Sequence, residues 1–399
     1  MTTLTAPQAT DPRVTFATRS PRRSQGWLLS AALYVALGAG LSGQDYFSNW
    51  YVRHNPQLEI GYDSNIYGSS GNEVDDLFST ATYRITTGRA QSLTQLDLSG
   101  QVDATWFLDE SEADSVDGSV QLDFAYPRDH EEGSYWEGQG YWRRETEVER
   151  TLQDRIRRTS YGLSVGGEWT PSPKLILSGG ADARVTDRKS AGYATNRLAS
   201  FSAGIGHSWI PERRWFLEYT LELGESDPPL GIESTESVSH IVGMRVRGRI
   251  LPKITGTALL GYEHSTFSGR EDFSDSGLSG ALDVRWEASA LSTVELSGRR
   301  RTEFSPSGAV TRRSTVTLSV DRDFGPAFTL LADVTPDVIS YDTEENRKDR
   351  ILNLGVGLRY RRTSRFFAMA HVAWGKIDSN LPDRDAEQTV VSLRSGLEF

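Results

Sequence analysis

Apolar and polar residues alternate along the chain from about residue 56 to its end. The pattern is clearest between Leu96 and Trp106, where apolar residues and one glycine hold the even positions and polar residues hold the odd ones. Successive side chains of a β-strand point to opposite faces. The alternation therefore predicts strands with one apolar and one polar face.

The alternating segments repeat with short turns or polar loops between them, and we count eighteen candidate strands, from 56–66 to 388–399. Sixteen strands is the alternative count. Lipid on one side and water on the other impose this period on membrane barrels, which have even strand numbers in bacteria. The predicted fold is thus all-β: a transmembrane antiparallel up-and-down β-barrel. After residue 43 no apolar run is long enough for a membrane-spanning helix.

The connections alternate between tight turns and longer polar segments, as transmembrane barrels require. The tight turns fall at 171–173, 251–253, 325–326 and 363–364. The longer segments are 187–196, 226–237, 265–276, 304–313, 341–350 and 378–387. The connection at 145–159 is the longest candidate for a segment that folds into the barrel.

The N-terminal segment has the layout of a secretory signal, with Arg22 and Arg23 before an apolar run from Trp27 to Leu41. We expect residues 1–43 to be a signal peptide, cleaved between Ala39 and Gln44, and residues 44–399 to form one barrel domain. A membrane helix is the alternative, but a run of roughly 15 residues is short for a span of about 20.

Composition narrows the compartment and the partners. The chain has no cysteine and a net charge of −11, which becomes −14 without residues 1–43, a segment with four arginines and one aspartate. This acidity argues against nucleic acid as a partner. We expect the bacterial outer membrane as the location, with lipid and lipopolysaccharide around the barrel and the barrel-assembly machinery as a transient partner.

If apolar residues face lipid, the charged residues of the other face line the lumen. An arginine on the lipid face at the bilayer midplane would cost about 2–4 kcal/mol, so the alternating arginines must point inward. The candidate lumen-lining residues are Arg245, Arg247, Arg249, Asp283, Arg285, Arg299, Arg359, Arg361, Arg394, Glu218, Glu222 and Asp321. They either pair across strands and stiffen or plug the interior, or line a hydrated conduit for an anionic or polyhydroxylated solute.

Aromatic residues near strand ends predict the two interfacial girdles of a membrane barrel. Trp169, Trp209 and Trp215 flank short turns, and Phe267, Phe304 and Trp374 lie near long loops. Core aromatics of a β-sandwich are the alternative. We interpret His207, on the predicted lipid face beside Trp209, as structural.

Catalytic and metal motifs are missing from the sequence. The six histidines are scattered, without metal-ligand spacing, and no Gly-x-Ser-x-Gly motif occurs. Acidic loops such as 109–114 and 271–275 could bind Ca²⁺ but are more often solvated loop tips. We expect no enzyme activity, no metal site and no cofactor.

The first strand, Pro56 to Ile66, contains Tyr62-Asp63-Ser64-Asn65 and resembles the opening of the putative outer-membrane β-barrel porins of type 2. Asp75-Asp76 before the second strand and the final Phe399 extend this resemblance. It implies an outer-membrane barrel associated with export of exopolysaccharide or capsule. The arginines also look similar to the lumen of alginate-secreting barrels, although interleaved carboxylates argue against an anionic cargo. Asp63 and Asn65 are equally explained as turn formers.

Three hypotheses follow. The first is a channel for a hydrophilic solute, with exopolysaccharide or capsular polysaccharide export as the expected function and periplasmic export components as partners. The second is a plugged or narrow barrel that binds polysaccharide or has a structural role. The third is a soluble secreted β protein. Phe399 argues against the third, because a terminal aromatic residue on an amphipathic last strand looks like the signal read by the assembly machinery.

Overall fold

The structure is a computed structural model, and it describes residues 50–399 except 92, 128–132, 150–153, 189–192, 211, 229–232, 270–271, 343–345 and 364. The predicted signal peptide, residues 1–43, lies outside the described residues and stays a prediction. No helix in the described part of the chain has the length and apolar character needed to cross a membrane.

Within the described ranges the chain forms eighteen strands and one short 3₁₀ helix at Ser111–Ala113. The strands are β1 Trp50–Asp63, β2 Asp76–Ala90, β3 Gln95–Phe107, β4 Ser115–Tyr126, β5 Tyr135–Glu149, β6 Asp154–Trp169, β7 Leu175–Asp187, β8 Thr195–Ile210, β9 Arg213–Asp227, β10 Thr235–Leu251, β11 Ile254–Gly269, β12 Phe273–Ser289, β13 Ser292–Phe304, β14 Val310–Asp323, β15 Phe328–Tyr341, β16 Lys348–Arg361, β17 Phe366–Ser379 and β18 Ala386–Leu397. The predicted count of eighteen is confirmed.

Each strand pairs antiparallel with its neighbours in sequence, and β1 pairs with both β2 and β18. The seam between the first and last strands runs from Gln57 opposite Gly396 to Asp63 opposite Val390. Below it, the Phe399 amide donates to the His54 carbonyl at 3.0 Å, and the His54 amide donates back at 3.3 Å. The sheet is therefore a closed barrel without a free edge, as predicted.

The two faces of the strands fall as the alternation predicts. On β3, Leu98 and Val102 are 43% and 52% exposed on the outer surface, whereas Asp97 accepts a hydrogen bond from Tyr51 on β1 and Asp103 one from Thr82 on β2. The same exposed apolar surface continues around the barrel, for example at Leu163, Leu217, Met244, Leu260, Leu278, Val356 and Leu393. So large an exposed apolar belt is stable only where it contacts lipid.

The aromatic girdle is confirmed in part. Trp169 and Trp215 are exposed on the outer surface, and Trp209 is 81% exposed. Phe267 and Phe304 do not belong to it: the ring centroids of Phe267 and Phe273 lie 4.6 Å apart and those of Phe267 and Phe304 6.3 Å apart, and Phe267 is buried. That part of the prediction is wrong, because nearness to a strand end does not determine which face a side chain takes.

The connections divide between the two ends of the barrel. One end, which we call the periplasmic end because it also holds Trp50 and Phe399, has the tight turns predicted at 251–253 and 325–326. The turn predicted at 363–364 includes residue 364, which lies outside the described residues. At the other end, which we call the mouth, strands extend further than predicted, so the connections there are shorter. The segment 145–159 is mostly the ends of β5 and β6, so the prediction of an inward-folded segment there is wrong.

Candidate functional site: the charged lumen

Most of the predicted lumen residues form ion pairs along the inner wall. Arg245 pairs with Glu218 at 2.9 Å, Arg285 with Glu295 at 2.5 Å and Arg394 with Glu59 at 2.5 Å. Arg249 pairs with Glu212 at 3.2 Å and Arg361 with Glu398 at 3.5 Å, both near the periplasmic end. The first three pairs join neighbouring strands, and the last two join a strand to a residue just outside the strands, so much of the arginine charge is neutralised within the wall.

A cluster around Glu168 on β6 is a buried part of this wall. The Glu168 side chain is only 2% exposed and pairs with Arg214 at 2.8 Å and with Arg247 at 3.4 Å. Arg247 also donates to the Tyr135 hydroxyl at 2.7 Å. Strands β9 and β10 thus reach β5 and β6 across the intervening β7 and β8.

Small inward residues on β7 and β8 make this reach possible. Arg245 contacts the Ser178 hydroxyl on β7 at 3.4 Å. Gly206 on β8 lies against the fully buried Phe216, and a Cβ atom there would come within 2.4 Å of the ring. Long side chains of β9 and β10 therefore lie along the wall instead of crossing the lumen. Glu168, Arg214 and Tyr135 were missed in the sequence, since only the fold brings them together.

Five predicted lumen residues make no ion pair within 4 Å among the described residues. They are Glu222, Asp283, Arg299, Asp321 and Arg359. Asp283, Arg299 and Asp321 are exposed on the inner face, where water reaches them. The strand registers place these charges on the inner face of the barrel. Their contact with a solute stays a prediction.

The wall formed by β3, β4 and β5 has a different chemistry. Gln95 donates to Asp97 at 2.5 Å, and Gln121 and Gln139 both donate to Asp123 at 2.8 Å. Further along, Gln101 donates to Asp103 at 2.7 Å and Thr82 donates to the same carboxylate at 2.6 Å. We call Gln95, Asp97, Gln101, Asp103, Gln121, Asp123 and Gln139 the amide–carboxylate strip. None of its carboxylates pairs with a cation among the described residues.

At the mouth, the connection between β13 and β14 crosses part of the opening. The Asn196 amide group on β8 donates to the carbonyls of Phe304 at 3.3 Å and Ser305 at 3.2 Å. The Ala194 amide donates to the Pro306 carbonyl at 2.8 Å. Strands β8 and β13 are five positions apart in the barrel. Residues 305–309, which we call the mouth bridge, therefore narrow this end.

Two features hold the mouth bridge in place. Ala309 packs on a buried cluster formed by Ile339, Tyr341, Ile351 and Ile377. Gly308 has φ +84°, a conformation that favours glycine.

Beneath the bridge lies a cavity of about 270 Å³. Arginines from both sides of the bridge line it, namely Arg158, Arg184, Arg188, Arg301 and Arg313. None of these arginines was singled out from the sequence, because their convergence depends on the curvature of the barrel.

The Tyr62-Asp63-Ser64-Asn65 motif has a structural role at the mouth. Asp63 accepts a hydrogen bond from the Asn65 amide at 3.0 Å, which is the turn-forming contact predicted for this pair. The fully buried Asn65 side chain donates to the carbonyls of Ser69 at 2.8 Å and Glu387 at 3.0 Å. The motif thus fastens the connection after β1 to the start of β18.

At the mouth, the described residues show one shifted carboxyl pKa and no group of metal ligands. Burial raises the pKa of the Asp114 carboxyl above its usual value, although this carboxylate accepts a hydrogen bond from the Phe107 amide at 2.8 Å. In the part of the chain that the structure describes, no three or more His, Asp or Glu side chains are grouped so that they could hold a metal ion.

Comparison with known proteins supports the barrel assignment. The model of the family described as Putative beta-barrel porin 2 matches residues 207–399. No curated protein matches the chain. Similar solved structures include Pseudomonas aeruginosa OpdK with vanillate, at 12% identity over 87% of this chain and 99% of that chain, with a TM-score of 0.44.

Two further structures are similar at the same level. Pseudomonas aeruginosa OccK2 (OpdF) in complex with glucuronate has 12% identity over 89% of this chain and 100% of that chain, with a TM-score of 0.45. Acinetobacter baumannii OccAB3 has 9% identity over 87% of this chain and 99% of that chain, with a TM-score of 0.43. Such low scores support no statement about the solute of the present chain.

Three findings agree with the resemblance seen in the first strand: the family match, the closed eighteen-strand sheet and the exposed apolar belt. The chain is therefore a closed β-barrel of the bacterial outer membrane, and its residues 207–399 match the model of the Putative beta-barrel porin 2 family.

Proposed function

We propose that the barrel passes a polyhydroxylated solute, and that exopolysaccharide or capsular polysaccharide export is its function. The observation that supports this best is the amide–carboxylate strip on β3, β4 and β5. Amides both donate and accept hydrogen bonds, and carboxylates accept them, so such a wall offers repeated partners to sugar hydroxyls. A solute can exchange these bonds from one position to the next without a single tight site.

The charge of the wall argues for a neutral or cationic cargo. Arg245, Arg247 and Arg249, the alternating arginines of β10, each pair with a glutamate. Their charge is therefore partly neutralised, whereas within the described ranges Asp97, Asp103 and Asp123 of the strip have only uncharged hydrogen-bond partners. Like charges in a narrow passage repel an anionic chain.

A second function is favoured by the mouth bridge. Residues 305–309 bond to Ala194 and Asn196 at the start of β8, five strands away around the opening, and the cavity beneath them is lined by residues of both regions. If the bridge closes the lumen, the barrel would bind surface polysaccharide or have a structural role without conducting. This is the plugged or narrow barrel of the second hypothesis.

Single-channel conductance of the refolded chain in planar bilayers tests the proposal. We expect steady current that maltohexaose interrupts and that an oligogalacturonate of the same length interrupts much less. The variant Asp123→Asn should keep the current and reduce the preference for the neutral sugar. The matched control is Asp333→Asn, which changes an inner-face aspartate of β15 outside the strip.

The outcomes separate the two functions. Current that is blocked equally by both sugars would contradict the proposed selectivity. A folded barrel without current, together with maltohexaose binding measured by calorimetry in detergent, would favour the binding role instead.

A further inference from the structure

The outer surface of β13, β14, β15 and β16 is unusual near the mouth because it carries cations without carboxylates. On these strands the outward positions are the even ones, as the exposed Val316, Leu318, Leu354 and Val356 show. Phe304, at the end of β13 beside the mouth bridge, is an exception and turns inward. Toward the mouth the even positions hold Arg300, Arg312, Lys348 and Arg350. No even position of these four strands holds an aspartate or a glutamate.

Strand register brings these cations close together. Arg300 lies opposite Ser314, Ser314 opposite Val338, and Val338 opposite Arg350. This line crosses three strand spacings of about 4.8 Å each, so the two arginines stand about 14 Å apart. Lys348 is the next outward residue above Arg350, and Lys376 on β17 lies opposite Leu352, diagonal to Arg350.

Four of these side chains make no ion pair among the described residues, namely Arg300, Lys348, Arg350 and Lys376. We call these four the outer basic patch. Arg312 lies within the patch but pairs with Asp275. Asp378, opposite Arg350 on β17, and Glu387 on β18 mark its edge.

The other side of the barrel shows that outer cations can be neutralised by the protein itself. On β8, Arg197 pairs with Glu225 at 2.9 Å and with Asp227 at 2.5 Å, both from β9. In the outer basic patch, Asp378 lies directly opposite Arg350 and Glu387 directly opposite Lys376, but neither carboxylate forms an ion pair within 4 Å among the described residues, and Glu387 accepts a hydrogen bond from Trp374 at 2.6 Å instead. Arg300 and Lys348 have no carboxylate opposite them on the paired strands, so the counter-ions of at least these two cations must come from the surroundings.

The position of the patch limits what those surroundings are. It lies on the mouth side of the apolar residues Val316, Leu352 and Leu354, at the level where strands leave the apolar belt. Arginines facing lipid are tolerated best at this interface, where headgroups replace acyl chains. The mouth is opposite the end that holds Trp50 and Phe399, which we call the periplasmic end, so the adjoining leaflet is the outer one.

We propose that the outer basic patch binds the phosphate groups of an anionic glycolipid in the outer leaflet. Guanidinium groups form paired hydrogen bonds with phosphate, and clustered cations bind anionic headgroups. Two cationic sites about 14 Å apart suit a headgroup with more than one phosphate. Between them the outward positions hold Ser314 and Val338, and Ser340 lies opposite Lys348, so the hydroxyls of the two serines can donate to the same headgroup.

Lipid binding to the refolded full chain in nonionic detergent tests this proposal. The probes are diphosphoryl lipid A, its monophosphoryl form and phosphatidylethanolamine, and the readouts are native mass spectrometry and the shift of the thermal unfolding midpoint. We expect tightest binding of the diphosphoryl form. Removing one arginine contact should weaken it about fivefold, and Arg300→Gln with Arg350→Gln about 25-fold.

A matched control uses the opposite face of the same strands. Arg299→Gln with Arg359→Gln removes the same charge from β13 and β16, but both residues point into the lumen. This control should bind diphosphoryl lipid A as the wild type does. Equal losses in the two double variants, or equal binding of all three lipids by the wild type, would overturn the proposal. Heat-modifiable migration in gels confirms that each variant is folded.

Discussion

At the scale of single residues, loss of the Glu168 carboxylate should lower the free energy of unfolding of the barrel. Its side chain is almost fully buried between Arg214 and Arg247. Glu168→Gln leaves two cations without their shared anion, which costs about 2–3 kcal/mol because Arg247 keeps partial access to water. Unfolding in urea, followed by tryptophan fluorescence in detergent, measures this loss.

An exposed ion pair of the same lumen provides the control. Arg285 and Glu295 are 54% and 53% exposed, so Glu295→Gln should cost less than about 1 kcal/mol. If the two variants lose the same stability, burial is not what makes the Glu168 cluster important.

At the scale of strands, the face of a residue decides whether a charge is tolerated. Leu260 on β11 is 65% exposed on the outer surface, and Leu260→Arg should lower the yield of folded barrel, since a lipid-facing arginine costs about 2–4 kcal/mol near the midplane. Thr257→Arg on the same strand points inward, opposite Asp283, and should fold normally. Refolding into lipid vesicles, scored by gel mobility, compares them.

The mouth bridge, which connects two strands, allows a prediction at the same scale. Asn196→Ala removes the hydrogen bonds to Phe304 and Ser305 and also the one from Ser226 at 2.8 Å. We expect the bridge to move more freely and single-channel conductance to rise about twofold or to fluctuate more. Asn380→Ala, which removes contacts of the connections after β15 and β17, is the control. Unchanged conductance in Asn196→Ala would show that the bridge does not limit the current.

At the scale of the whole molecule, closure depends on the two chain ends. Phe399 exchanges two backbone hydrogen bonds with His54, and its ring lies 5.8 Å from the Arg365 guanidinium carbon. Deleting Phe399 should reduce the yield of closed barrel severalfold, because the last strand loses its anchor on β1. Phe399→Tyr, which retains the backbone and the ring, should assemble normally; assembly of the deletion variant at the wild-type rate would contradict this.

The fold was largely predictable because its causes are local. The period of two on strands such as β3 follows from lipid on one side and water on the other, and the turns at 251–253 and 325–326 follow from proline. Eighteen amphipathic strands have no stable arrangement except closure, since a free edge in lipid would leave backbone groups unpaired. The inward face of Arg245 and Arg285 was predictable for the same reason.

The site was less predictable because its contacts join residues far apart in the chain. Glu168 meets Arg247 only because the inward residues of β7 and β8, including Ser178 and Gly206, are small. Phe304 turns inward because Asn196 bonds its carbonyl across the opening. An alternation with period two shows which face of the sheet a side chain takes, but it does not show which residues of distant strands meet.

The sequence by itself thus determined the strands, their faces, their number and the membrane in which they reside, since each of these depends on side chains only a few residues apart. The tertiary structure alone decided which charges neutralise each other, which connection narrows the mouth and which cations remain free on the outer surface. The physical reason is that barrel curvature and strand register set the distances between strands, and Coulomb and hydrogen-bond energies depend on those distances.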